Sequence, residues 1–357
     1  MKGKKKLVIF GLTVSSSWGN GHATLWRALL RSLAMQGHEA TFFERDVPYY
    51  ASTRDLHAGA GYDLVLYRDW PEALPLAEAA LASADVAVVT SYCPDALAAT
   101  ELILSKPHLL HVFYDLDTPV TLDRLDAGES VEYLPPDGFS RFDLVLSFTG
   151  GRALDELRTR LGAQRAVPLY GSVDASAHHP VTPSPRYESD LSYLGTYSPD
   201  RQEGVERLLI NTARAFPSKR FVVGGSLYPR ELSWADNIAL LEHVPPPEHP
   251  AFYCSSRITL NVTRGAMARR GYCPSGRLFE AAACGTPILS DTFEGLETFF
   301  EPKTEIMIAG TTEEAVDAVQ TPPQELVKIG QRARARVLAE HTADARARQM
   351  IAAFDGC

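Results

Sequence analysis

The chain has 357 residues, 45% of them hydrophobic and 22% charged, with a net charge of −9. That length fits two domains of ordinary size, each with enough apolar residues for a core. The acidic balance argues against nucleic acid as the main partner, and no run approaches the roughly 20 apolar residues of a membrane span.

The chain opens with Lys2, Lys4, Lys5 and Lys6, read as a solvated basic terminus. Leu7–Val14 follows as a continuous apolar run, the pattern of a strand covered on both faces of a parallel sheet. Its start is too short for a signal-peptide core. Helical spacing of Leu25, Leu29 and Leu33 predicts a helix over Ala23–Gln36, stopped at Gly37. Short strands are expected at Glu39–Glu44, Asp63–Tyr67, Asp85–Thr90, His108–Phe113 and Asp143–Phe148, with helices at Glu72–Leu81 and Asp95–Leu104. Strand–helix alternation of this kind implies a parallel sheet.

Tyr170–Asp190, with Pro180, Pro183 and Pro185, reads as a linker. Alternation then resumes. Strands are expected at Leu191–Gly195, Arg220–Gly224, Ile258–Val262, Pro287–Ser290 and Glu305–Ile308, and helices at Arg201–Phe216 and Ser275–Cys284. One further helical stretch covers Pro323–Phe354. The fold expected is α/β with two doubly wound, Rossmann-like domains facing a central cleft. Residues 1–175 form the first and residues 176–340 the second, followed by a terminal helix over 341–357. Ligands of such sheets bind beyond the carboxyl ends of the strands, so loops that follow strands carry the chemistry. Cys93, Cys254, Cys273, Cys284 and Cys357 lack the close pairing of structural zinc sites and read as reduced thiols of a cytoplasmic protein.

The segment Ser275-Gly-Arg-Leu-Phe-Glu-Ala-Ala-Ala-Cys-Gly-Thr-Pro-Ile-Leu-Ser290 is the most telling. Ser275 is placed to cap a helix, Gly276 allows close approach, and the helix start favours a phosphate. Arg277 and Glu280, three residues apart, share a face, a cation for diphosphate beside a carboxylate for ribose hydroxyls. In the first half, Gly19-Asn20-Gly21-His22 follows the first strand. Its glycines permit a tight turn, and His22 is a candidate general base. The same loop half-matches a dinucleotide fingerprint, but Thr24 replaces the third glycine, and only Glu44 suggests a ribose-binding acid.

Asp115-Leu-Asp117 also follows a strand. It has the literal form of a metal–diphosphate motif, yet Asp117 is better read as a partner that orients His22 or binds the acceptor. Gly195-Thr196-Tyr197-Ser198-Pro199-Asp200-Arg201 begins the second half, with Thr196, Tyr197 and Arg201 near the donor phosphate and Ser198-Pro199 as a helix start. Arg264 is assigned to diphosphate, and Glu294-Gly295 to sugar hydroxyls. Gly224-Gly225-Ser226 is a weaker candidate near the nucleobase. The sequon Asn261-Val-Thr263 ends an apolar strand and is discounted.

In their order along the chain, the motifs resemble those of GT-B glycosyltransferases of the family-4-like kind, and more narrowly the CgeB-like spore-maturation group. The matching residues are Ser15–Thr24, Asp117–Leu122, Tyr193–Asp200, Asn261–Arg264 and Arg277–Glu280. The resemblance implies transfer of a sugar from a nucleotide-sugar donor to an unknown acceptor, with no metal and no further cofactor. It also implies that the terminal helix over 341–357 packs back on the first domain. Retaining members carry a second Glu at the position of Tyr272, so inversion is favoured here. A nucleotide-sugar epimerase and a non-catalytic nucleotide-binding module are the rival readings.

Overall fold

The computed structural model describes residues 3–18 and 21–357, and the chain divides into two units. The first comprises Met1–Tyr170 with Ala343–Cys357, and the second Gly171–Thr342.

The first unit is built on seven strands: β1 (Lys6–Gly11), β2 (Glu39–Arg45), β3 (Asp63–Tyr67), β4 (Val86–Thr90), β5 (Leu110–Asp115), β6 (Leu144–Ser147) and β7 (Ala166–Pro168). All pair in parallel, in the order β3-β2-β1-β4-β5-β6-β7. Between them run α1 (His22–Met35), α2 (Pro48–Ala51), α3 (Trp70–Leu81), α4 (Ala96–Leu104), α5 (Thr118–Asp126) and α6 (Arg152–Leu161). Because side chains alternate across a strand, the apolar run of β1 feeds two cores. Val8 and Phe10 pack with Phe43, Val89 and Phe113 on one face, whereas Leu7 and Ile9 pack with Trp26, Leu29 and Leu33 of α1 on the other.

The second unit repeats the plan with six strands: β8 (Leu191–Leu194), β9 (Phe221–Gly224), β10 (Ile238–Leu241), β11 (Thr259–Asn261), β12 (Ile288–Ser290) and β13 (Met307–Ile308). Their order is β10-β9-β8-β11-β12-β13, again all parallel. Its helices are α7 (Pro199–Val205), α8 (Asn211–Ala215), α9 (His249–Cys254), α10 (Gly265–Arg270), α11 (Gly276–Ala283), α12 (Thr312–Gln320) and α13 (Pro323–Glu340). In both sheets the chain winds outward from the first strand and then returns to its other side. The switch point therefore lies between β1 and β4 in one unit and between β8 and β11 in the other, where a doubly wound sheet opens its crevice.

The last helix, α14 (Ala343–Asp355), belongs to the first unit. Ala347, Met350 and Phe354 join the core of Leu7, Ile9 and Trp26, and burial of Met350 and Phe354 contributes about 1.5–3 kcal/mol each. Polar ties hold its ends. Arg346 donates to Tyr170 O at 3.1 Å, and Lys5 pairs with Asp355 at 2.9 Å.

Three expectations differ in detail. The helix over 201–216 starts earlier, at Pro199, and is interrupted by a π-helical turn over Glu206–Ile210. The long terminal helix is two helices, because main chain near His341 and Thr342 is drawn into a bridge with Val173. Two strands were not foreseen: β7 has three residues and ends in a proline, and β10 is an edge strand without a fully buried face. No helix among the described residues is long and apolar enough to cross a membrane.

Candidate active site

Three loops at the carboxyl edge of the first sheet converge on one carboxylate. His22 opens α1 after β1, Ser91 follows β4, and Asp117 follows β5, so adjacent strands bring together residues far apart in sequence. His22 Nε2 lies 2.9 Å from Asp117 Oδ2, and Ser91 Oγ donates to the same oxygen at 3.0 Å. An ionised carboxylate only accepts, so Nε2 carries the hydrogen and Nδ1 keeps the lone pair. Nδ1 is buried and has no hydrogen-bond partner among the described residues. This is an imidazole oriented by a third group with its basic nitrogen uncommitted.

Asp115 is not the second half of a metal–diphosphate pair. It is fully buried beneath Asp117, and its Oδ1 accepts from Asp117 N and Thr121 Oγ1, both at 3.1 Å. Burial, helped by the neighbouring charge of Asp117, pushes its carboxyl up to about 7. Glu44 is likewise no ribose ligand. It accepts from Thr13 Oγ1, Val14 N and both N and Oγ of Ser15 at 2.5–2.9 Å, fully buried, and so fixes the start of the loop that leads to His22. Gly21 is the residue before α1, and Gly19 and Asn20 lie outside the described residues.

In the second unit Arg277 reaches across the switch point. Its Nε donates to Leu194 O at the end of β8 and its Nη1 to Asn261 Oδ1 at the end of β11, at 2.5 and 3.0 Å. The guanidinium lies over the Tyr193 ring at 4.9 Å, and a side chain at Gly195 would meet Nη2 at 2.7 Å. Asn261 is fully buried and bonds to Ser290, which fits a structural role and no glycosylation. Ser275 stands at the N-cap of α11, but its hydroxyl makes no capping bond. The helix start thus keeps its side-chain cap position unused, and Gly276 beside it faces open space apart from Glu280 Oε1, 3.9 Å from where a Cβ would sit.

Arg201 comes to the same place from α7. Its Nη2 donates to Thr196 O at 2.7 Å, while Nε is buried with no partner among the described residues. Burial pushes this guanidinium below its usual range, and the positive charges of Arg277 and Arg264 push it further. Three cations are therefore gathered: Arg264 pairs with Asp200 at 3.5 Å, and Arg277 acts on the carboxylates of Glu280 and Asp291. Tyr197 is held by its N–H to Ser226 O at 2.9 Å and packs edge-on to Tyr228 at 5.6 Å. That contact ties the two loops following β8 and β9.

Glu280 points to a different neighbourhood from Arg277 despite their shared helix face. Its Oε2 accepts from Tyr253 Oη at 3.2 Å, and its donor atom lies within 4.8 Å of those of His178 and His249. Burial opposes its charge, but His178, His249, the Tyr253 bond and Arg277 together hold it below the usual carboxylate range. The exposed Glu294 lies on the turn after β12. Gly295 there has φ of +87°, and any side chain would strike the Tyr272 ring at 2.4 Å. Tyr272 itself has φ of 47° and donates its N–H to Glu294 O at 2.6 Å, so this position braces the turn. Sequence reasoning did not find Ser91, His178, His249 or Tyr253. None sits in a motif, and each gains meaning only from the strand order that assembles it.

Residues 201–352, from Arg201 through Arg264, Arg277 and Glu280, match a family model described as Glycosyl transferase-like. Among solved structures, sucrose-phosphate synthase from Thermosynechococcus elongatus is similar over 99% of each chain, with a TM-score of 0.72 at 14% identity. Anabaena Alr3699/HepE in complex with UDP and glucose covers 99% of this chain and 100% of its own, with a TM-score of 0.68 at 12% identity. An alpha-glucosyltransferase (AGT) in complex with UDP does so with a TM-score of 0.73 at 12% identity. At these identities the likeness shows the fold, which is GT-B. Over residues 201–352 by sequence, and in its fold, the chain is similar to glycosyltransferases. A search of curated protein sequences gave no match. The matched segment spans the arginine cluster and Glu280, and His22 and Asp117 lie outside it.

Proposed function

We propose that the enzyme transfers a sugar from a nucleoside diphosphate sugar, a UDP-sugar first among them, to a hydroxyl or similar nucleophile. The reading rests above all on Arg201, Arg264 and Arg277, which act on one another electrostatically, and on the unused side-chain cap of the helix that carries Arg277. A diphosphate suits both, and fixed dipoles and guanidinium groups stabilise it as it leaves. Glu280 holds the ribose, and Thr196, Tyr197, Glu294 and Gly295 line the rest of the donor site. UDP bound to structural neighbours supports the choice of base.

The first unit supplies the base. The acceptor hydroxyl gives its proton to His22 Nδ1 while its oxygen bonds to the anomeric carbon, and the bond from that carbon to the diphosphate oxygen breaks. Asp117 steadies the imidazolium that results. The step uses no metal, and with Tyr272 in place of a second glutamate it inverts configuration. The narrower kinship with CgeB-like enzymes and a cytoplasmic location belong to the same proposal, supported by motif order and cysteine pattern.

Incubation with UDP-, GDP- and dTDP-sugars tests it. Slow release of nucleoside diphosphate from one donor without added acceptor is expected, lost in Arg277→Ala. Clean isomerisation of the donor would favour an epimerase, and no consumption of any donor would leave only a binding module.

A further inference from the structure

Three donor side chains from separate elements meet in the second unit. His178 comes from the proline-rich segment before β8, His249 opens α9, and Glu280 lies on α11. Their nearest nitrogen and oxygen atoms all fall within 4.8 Å of one another. Ligand atoms about 2.0–2.1 Å from a tetrahedral zinc ion stand about 3.4 Å apart, so small side-chain rotations close the set.

The protonation pattern suits a cation. His249 Nε2 lies 3.1 Å from Val244 O, and a carbonyl only accepts, so Nε2 carries the hydrogen and Nδ1 keeps a lone pair. A ring N–H bonded to a backbone carbonyl is the usual outer support of a metal-ligating histidine. His178 has both ring nitrogens buried with no hydrogen-bond partner among the described residues, an unmet demand that a ligated ion would satisfy. Glu280 is steadied from outside by Tyr253, whose hydroxyl donates to Oε2 at 3.2 Å.

We infer that His178, His249 and Glu280 bind one divalent transition-metal ion of the zinc class. Two imidazoles and one carboxylate suit zinc or cobalt far better than magnesium or calcium, which prefer an all-oxygen shell. The ion occupies the carboxylate assigned above to the donor ribose. Resting on that reading, metal and nucleotide exclude one another, and the metal is an inhibitor of donor binding with no part in transfer.

Chelator-treated full-length protein is titrated by calorimetry with zinc chloride and with cobalt chloride, the latter followed by visible absorption. One ion per chain is expected, with no heat from magnesium or calcium. His178→Ala and His249→Ala should each weaken zinc at least ~100-fold, and Tyr253→Phe about 10-fold. Circular dichroism confirms folding, and His178→Gln serves if the alanine variant fails to fold. Absence of a stoichiometric zinc site, or equal zinc affinity in wild type and a folded His178 variant, overturns the inference. Saturating zinc should raise the apparent Kd for UDP in wild type but not in His178→Ala. If zinc binds as expected and UDP affinity does not change, the metal site stands and Glu280 is not the ribose ligand.

Discussion

Replacing Arg201 by methionine separates a ligand-binding arginine from a structural one, because the first role predicts a loss in binding and the second a loss in stability. The substitution removes the bond from Nη2 to Thr196 O, 2.7 Å long, which as a charged donor is worth about 1.5–3 kcal/mol. It also removes a buried Nε that has no partner among the described residues, whose desolvation costs about 1–3 kcal/mol, and relieves repulsion from Arg277 and Arg264. The terms nearly cancel. Ligand-free Arg201→Met should unfold within about 1 kcal/mol of wild type, a Tm change of roughly 2–4 °C. Binding behaves differently. Loss of one charge-assisted contact to diphosphate, about 1.5–3 kcal/mol, weakens UDP by about 10- to 150-fold. For wild type, UDP at about 100 times its Kd should add about 2.7 kcal/mol to unfolding, a gain that falls to about 0.3–1.4 kcal/mol in the variant at the same concentration. Thermal unfolding with and without UDP, and calorimetry, measure both quantities. A drop of more than about 3 kcal/mol without ligand, together with unchanged UDP affinity, would refute the reasoning.

Asp117→Asn should lower turnover by ~10²–10⁴ and leave UDP affinity within about twofold, read from steady-state rates and calorimetry. His22→Gln should lose as much, and the pair together little more, since the two act as a unit. Asp115 titrates near 7 when folded, against about 3.9 in an unfolded chain, so between these values the folded form keeps a proton the unfolded form has shed. Its contribution to stability is therefore fully present below about pH 4, falls as pH rises to about 7, and is flat above. Asp115→Asn should remove that decline, which urea midpoints at pH 4.5 and pH 8 for both proteins will show; parallel midpoints would contradict it. Glu44→Ala leaves four donors of the Thr13–Ser15 turn without their acceptor and should cost about 3–5 kcal/mol in chemical denaturation, with turnover falling alongside.

Much of the protein was legible in its residues because local physics sets it. Continuous apolar runs such as Leu7–Phe10 announce strands covered on both faces, and Pro199 and Gly285 mark where helices begin and end. Asp117 and Arg264 stand in loops that follow strands, and His22, Arg277 and Glu280 in the opening turns of helices that follow such loops; alternation alone puts positions of this kind at one sheet edge. Pairing is another matter. The bond from His22 to Asp117 depends on β4 lying between β1 and β5, an order that non-local packing selects. Glu44 looked like a ribose acid and proved to be the anchor of a turn, because only the fold shows which amides surround a buried carboxylate. His178, His249 and Tyr253 carry no motif, and long-range contact alone sets them around Glu280. The sequence by itself determined the elements and their alternation, since these follow from periodicity, caps and turn residues within a few positions. Tertiary structure decided which side chains meet, because a hydrogen bond or a ligand set depends on distance in space, and the sheet order that sets it is a property of the whole core.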